Sequence, residues 1–283
     1  MRLARFDDDR LGLVRNGDLL DVSEALEILP RHRWPLPYGD PLITHLGAVL
    51  ERVRAIAPRA QIHKIDSVKL LSPVANASKI IAAPVNYLKH VAEARADAGI
   101  HFGADIKTID HYGLFLKSNT SVIGAGEPII VPNIGRRVDH EIEVAVVIGK
   151  NCKDVSEAEA LSVVCGYAMA LDMSVRGLED RSWRKSYDSF SVIGPWLVTA
   201  DEIADSAALN FEISVNGERR QHSNTRKLIF SIPKLIAYAS TAYRLYPGDI
   251  IMTGTPEGVG PVTSGDRLTC RVDGIGTMNV RVA

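Results

Sequence analysis

Asp139-His140-Glu141-Ile142-Glu143-Val144-Ala145-Val146-Val147-Ile148, closed by Gly149, is the stretch on which the reading of this chain turns. Its β-branched residues make it a strand. Successive strand side chains point to opposite faces, so Glu141 and Glu143 share one face while Ile142, Val144, Val146 and Ile148 line the other. A strand this apolar is a buried one, and two like charges in one buried space need a proton, basic partners or a cation. A divalent metal ion meets that need with a single group. Ion pairs with Arg136 and Arg137, just upstream, are the alternative at a strand edge.

Downstream, Val163 to Met173 is a second apolar strand carrying Asp172 at its end, and an acid there also needs a partner. The run Arg176 to Asp188 alternates in charge, which taken alone describes a solvated loop. Strand Ile193 to Val198 follows, then a hairpin at Asn216-Gly217 and a helix from Pro233 to Ala242. Gly248 to Gly260 is a strand entering a glycine-rich loop. It lacks the Gly-Lys-Ser/Thr of a P-loop and no helix pattern follows, so it is not a nucleotide cradle. No G-x-S-x-G elbow is present, which counts against a serine hydrolase.

Upstream, Lys79 to Ala83 is a short strand ended by Pro84. Leu88 to Ala98 has a helical pattern closed by Gly99, with His90 and Glu93 on one face. On their own these two describe a solvated polar helix face. From Ala96 to Gly113 the periodicity is lost, as in a functional loop or lid. Leu114 to Lys117 is again a strand. Residues 1–75 alternate short apolar pieces with turns, including a hairpin at Asn16-Gly17, and read as a small β-containing domain. Pro73 marks its boundary with a larger unit over 76–283.

The chain has 283 residues, 46% hydrophobic and 24% charged, with 33 basic against 34 acidic side chains. That balance suits a globular protein acting on small molecules and offers no charged run for a nucleic acid or anionic membrane. Cys152, Cys165 and Cys270 are dispersed and odd in number, so neither a disulfide framework nor a zinc cluster is expected. No apolar run approaches ~20 residues and the start lacks a signal-peptide core, so a cytoplasmic location is expected.

Taken together and in order, several motifs resemble the fumarylacetoacetate hydrolase family, in particular its bacterial two-domain members. They are Asn86-Tyr87 with His90 and Glu93, DHEIEVAVVIG, Asp172 with Arg176, KSYDSFSVIGPWLV from Lys185, and GDIIMTGTPEGVG from Gly248. The resemblance implies an α+β, mainly β fold: a mixed β-sheet roll with few helices, an active site at one open end and a variable N-terminal domain. It implies metal ligands at Glu141, Glu143 and Asp172 for Mg²⁺, Mn²⁺ or Ca²⁺, consistent with the preference of hard cations for oxygen ligands. It also implies an acid–base dyad at His90 and Glu93 on a lid helix, a lysine at Lys185, and substrate contacts at Arg176 and Thr255. Glu179 stands where many members have a substrate-contacting glutamine. The interval from Asp172 to Lys185 is shorter than in many relatives, and Ala83-Pro84-Val85 replaces a segment that often carries glycine.

The activity so implied is metal-dependent hydrolysis of a C–C bond in an acylpyruvate-type 1,3-diketo acid, of the fumarylpyruvate or diketo-deoxy-sugar-acid class. His90, held by Glu93, would activate water, and Lys185 would stabilise developing negative charge. The alternatives are a decarboxylase, isomerase or lyase acting on a 2-oxo acid through its enolate, and a non-catalytic binding protein on the same scaffold. A homodimer is expected from the family.

Overall fold

In the computed structural model, which describes every residue from Met1 to Ala283, the acidic stretch is two strands rather than one. Val138–His140 belongs to a small sheet with Ser174–Val175 and Gly260–Pro261, whereas Ile142–Ile148 belongs to the main sheet. The expected single strand therefore breaks at Glu141. At that corner the Ile142 N–H donates to the Gln221 side-chain carbonyl at 3.1 Å. A side chain from another sheet thus satisfies the backbone where the chain changes sheets.

The main sheet has 12 strands. Its spatial order is Gln61–Lys64, Asp18–Asp21, Arg10–Arg15, Arg2–Phe6, Ser191–Thr199, Val164–Asp172, Ile142–Ile148, Ile250–Met252, Ile80–Ala82 and Phe115–Lys117. Leu70–Leu71 pairs with Arg2–Phe6, and Val122–Ile123 with Ser191–Thr199. Pairing is antiparallel except where Ile250–Met252 meets Ile80–Ala82 and Val122–Ile123 meets Ser191–Thr199. A four-stranded sheet, Glu218–Asn224, Asn210–Val215, Arg267–Val272 and Gly276–Arg281, and helix Ile232–Ala242 pack beside it. The fold is α+β with sheet predominating, as the sequence predicts.

The alternation read in Ile142–Ile148 sorts its side chains between two cores. Ile142, Val144, Val146 and Ile148 enter the large cluster with Ile213, Leu235 and Leu268, while Ala145 and Val147 pack into a second cluster with Ala168, Ile193 and Ile80. Each large aliphatic side chain buried in this way contributes about 1.5–3 kcal/mol, so the strand is clamped from both sides. Glu141 and Glu143 have the parity of Ala145 and Val147 and extend that row past the end of the smaller core. Both hairpins expected from Asn-Gly pairs form, with Asn16 and Gly17 at φ 51° and 82° and Asn216 and Gly217 at φ 52° and 85°.

The helix expected over Leu88 to Ala98 runs Leu88–Ala96 and stops before Gly99. Asp97 is extended, pairs with Arg137 at 2.8 Å and accepts the Gly99 N–H at 2.8 Å, starting a second short helix, Ala98–His101. With Ile109–Tyr112, the aperiodic stretch up to Gly113 carries two short helices separated by an irregular segment at 104–108. It is tied to the first helix by Val91, Ala94 and Ile106 and by the bond from Arg95 Nε to the Ile106 carbonyl, 2.8 Å.

Candidate active site

Strand register assembles the acids. Ile142 lies opposite Leu171 and Glu143 opposite Ala170 in an antiparallel ladder, which sets Glu141 across from Asp172, and the Asp172 N–H donates to the Glu141 carbonyl at 2.9 Å. Glu143, two residues on, shares their face. One carboxylate oxygen from each of Glu141, Glu143 and Asp172 lies within 4.8 Å of the others, and all three side chains are buried.

The basic groups around them are not the arginines that the sequence offered. Arg136 pairs with Glu179, and Arg137 with Asp97 and Asp139. Lys185 instead contacts Glu141 Oε2 and Asp172 Oδ2, both at 2.7 Å, and Arg176 sits 2.9 Å from Glu141 Oε1 while donating to Asp139 at 2.7 Å. Lys117, which sequence reasoning missed, is fully buried, donates to Asp172 and bonds the Phe190 carbonyl at 2.8 Å. Its signal was present in a strand, Leu114 to Lys117, that ends in a charge, the pattern already read at Asp172.

Glu143 is the exception. It has no basic partner and accepts only the Gly254 N–H, at 2.7 Å. Burial and the neighbouring Asp172 and Glu141 charges push its carboxyl well above the usual range. Burial also acts against the Glu141 anion, but Lys185 and Arg176 outweigh it and hold that group low. Three all-oxygen donors of which one lacks a counter-charge fit a hard divalent cation, and each carboxylate oxygen that meets Lys185 keeps a second lone pair for it.

The glycine-rich loop joins this wall to the helix opposite. Gly254 and Gly258 both take positive φ, 99° and 95°, and a Cβ would lie 2.7 Å from Asn86 Cβ at the first and 2.1 Å from the Arg220 carbonyl oxygen at the second. With that space free, the Gly254 N–H reaches Glu143 and the Gly258 N–H reaches Glu93 Oε1, each at 2.7 Å. Glu93 Oε2 in turn bonds His90 Nδ1 at 2.8 Å. His90 is only 5% exposed, so the pair is not the solvated helix face that its sequence alone allows. Buried Asn86 anchors the start of the helix through the Phe230 and Thr253 carbonyls, 3.0 and 2.8 Å.

A cavity of about 50 Å³ lies between the walls, lined by His90, Glu141, Glu143, Arg176, Lys185 and Thr255, and also by Arg181 and Arg184. Thr255 donates to the Ile142 carbonyl at 2.9 Å and accepts from Gln221 Nε2 at 2.8 Å. Gln221 gave no sequence signal, since its role depends on two sheets meeting. Of the residues expected in the site, Glu179 stands apart. It is 42% exposed and held bidentately by Arg136, both bonds 2.7 Å, which lowers its carboxyl to about 2.

This fold and arrangement define a fumarylacetoacetate hydrolase-type protein. Residues 79–283 match the Fumarylacetoacetate (FAA) hydrolase C-terminal family, and the chain belongs to the fumarylacetoacetate hydrolase family. It is 48% identical to the maleylpyruvate hydrolase of Aquipseudomonas alcaligenes, over 100% of this chain and 99% of that one. The crystal structure of maleylpyruvate hydrolase from Sphingobium sp. SYK-6 in complex with manganese(II) ion and pyruvate superposes with a TM-score of 0.84 at 39% identity, covering 100% of this chain and 99% of that one. The mitochondrial oxaloacetate tautomerase of Xenopus laevis is 33% identical over 99% of this chain and 89% of its own length.

Proposed function

We propose that the chain is a divalent-metal-dependent acylpyruvate hydrolase that splits the C3–C4 bond of a 2,4-dioxo acid to a 2-oxo acid and a carboxylic acid. The observation that carries this is the meeting in one cavity of His90, backed by Glu93, with the buried acids. The full-length similarity to a maleylpyruvate hydrolase supports the same chemistry.

Glu141, Glu143 and Asp172 would hold the cation, with Mg²⁺ as its physiological identity. When bound, the ion supplies Lewis-acid polarisation of the 2-oxo acid oxygens. Glu93, oriented by the Gly258 N–H, takes the His90 Nδ1–H and leaves Nε2 as the basic nitrogen. A water gives its proton to Nε2 as its oxygen adds to C4. The C3–C4 bond then breaks, its electron pair passes toward the 2-oxo acid, and His90 returns the proton to C3. Lys185 spends two N–H groups on Glu141 and Asp172 and keeps one for the developing negative charge. Arg176 and Thr255 contact the substrate. The enzyme works in the cytoplasm as a homodimer, and residues 1–75 form a small N-terminal domain whose strands join the main sheet alongside Ser191–Thr199.

A second reading, tautomerisation of a 2-oxo acid without attack by water, is favoured by the similarity to an oxaloacetate tautomerase. The protein loaded with Mg²⁺ or Mn²⁺ should release pyruvate from acetylpyruvate. Enol–keto conversion of oxaloacetate with no pyruvate from any acylpyruvate would select the second reading.

A further inference from the structure

The arginines near the cavity divide into two groups. Arg136, Arg137 and Arg176 each have a carboxylate partner. Arg181 and Arg184, on the short helix Arg181–Arg184, line the cavity yet have no carboxylate within 4.0 Å. Arg184 Nε is buried without a hydrogen bond, and the side chain's one contact is a long bond from a terminal nitrogen to the Val175 carbonyl, 3.4 Å. Arg181 lies 4.1 Å over the ring of Tyr112, a residue of the segment that closes this side of the site. Burial, with the Arg176 charge beside it, lowers Arg184 to about 10, which leaves it a cation at neutral pH. Buried polar atoms are nearly always bonded, and a half-buried guanidinium whose Nε is buried with no partner is matched by a planar carboxylate.

We propose that Arg184, assisted by Arg181, forms a second anion subsite that binds the carboxylate at the far end of the acyl chain, making the preferred substrate a dicarboxylate. The metal acids, Lys185 and Arg176 serve the 2-oxo acid end, and Arg184 and Arg181 offer further donors to the same cavity for the substrate's second charge. Specificity then comes from a charge that a neutral-tailed acylpyruvate cannot satisfy, since such a substrate would leave the buried Arg184 Nε without a partner. The proposal rests on the acylpyruvate reading, and its test separates the two.

The experiment compares maleylpyruvate with acetylpyruvate in the metal-loaded wild type, Arg184→Gln, Arg184→Lys and Arg181→Gln, alongside equilibrium titration with maleate and with isocrotonate, which keeps the cis chain and lacks one carboxylate. Arg184→Gln should lower kcat/KM for maleylpyruvate on the order of 10²-fold, chiefly through KM, and at least about tenfold more than for acetylpyruvate. Arg184→Lys should recover part of the loss, Arg181→Gln should show a smaller loss of the same kind, and maleate should bind wild type but not Arg184→Gln in preference to isocrotonate. Equal losses on both substrates, or no loss, would overturn the subsite, as would maleate binding equally to wild type and Arg184→Gln. A wild type that hydrolyses neither substrate overturns the acylpyruvate reading instead, and the maleate titration then still decides the subsite.

Discussion

The two walls of the cavity are built in different ways. On the sheet wall, Glu141, Glu143 and Asp172 are placed by strand register, with apolar cores clamping the acid-bearing strand on both faces. On the helical wall, His90 and Glu93 are placed by a few directed bonds: Asn86 to two carbonyls, Glu93 to Gly258, Arg95 to Ile106. A ladder shares its load over many pairs, whereas the helical wall has a small apolar cluster, Val91, Ala94 and Ile106, beside these bonds. The difference predicts that the charge-binding half is the more resistant of the two to local opening.

Substitutions on the two walls should therefore separate cleanly. His90→Ala should lower kcat on the order of 10²-fold or more while Mn²⁺ affinity stays within about twofold. Steady-state rates and a metal titration on the same preparation check this, and near-normal turnover would return His90 to a structural role. A pair of glycine variants sharpens the contrast. Gly258→Ala places a strained residue against the Arg220 carbonyl and displaces the backbone N–H that anchors Glu93, so kcat should fall about tenfold with metal affinity kept. Gly254→Ala disturbs the donor to Glu143 and should weaken metal binding as well. If both variants altered the metal equally, the loop would be one rigid unit and the distinction between walls would fail. Glu179→Gln should have the smallest effect. It breaks an exposed pair with Arg136, so the melting temperature and kcat should be close to wild type.

The same contrast explains what could be read from the sequence. Period-two alternation exposes which side chains share a face, so Glu141 with Glu143, the strand ending in Asp172 and both Asn-Gly hairpins were visible before any tertiary structure. Sheet assignment was not, because the break at Glu141 depends on Gln221, a residue 80 positions away by number (221 − 141) with no local signature. The end of the lid helix was misplaced for a similar reason. Gly99 looks like a helix stop, but Asp97, fixed by Arg137 from just before the Val138–His140 strand, ends the helix first. Counter-charges were the least legible. Arg136 and Arg137 were nearest in sequence, yet Lys117, Arg176 and Lys185 reach the acids through folding alone.

The claim on which the rest depends is that the uncompensated Glu143 completes a cation site with Glu141 and Asp172. Anomalous scattering from crystals soaked in Mn²⁺, wild type beside Glu143→Ala, tests it most directly. One manganese peak in contact with oxygens of all three acids, lost in Glu143→Ala while the fold is retained, is the expected result. A peak that survives in Glu143→Ala, or a wild type with no manganese among the three acids and Lys185 still closed on Glu141 and Asp172, would contradict it.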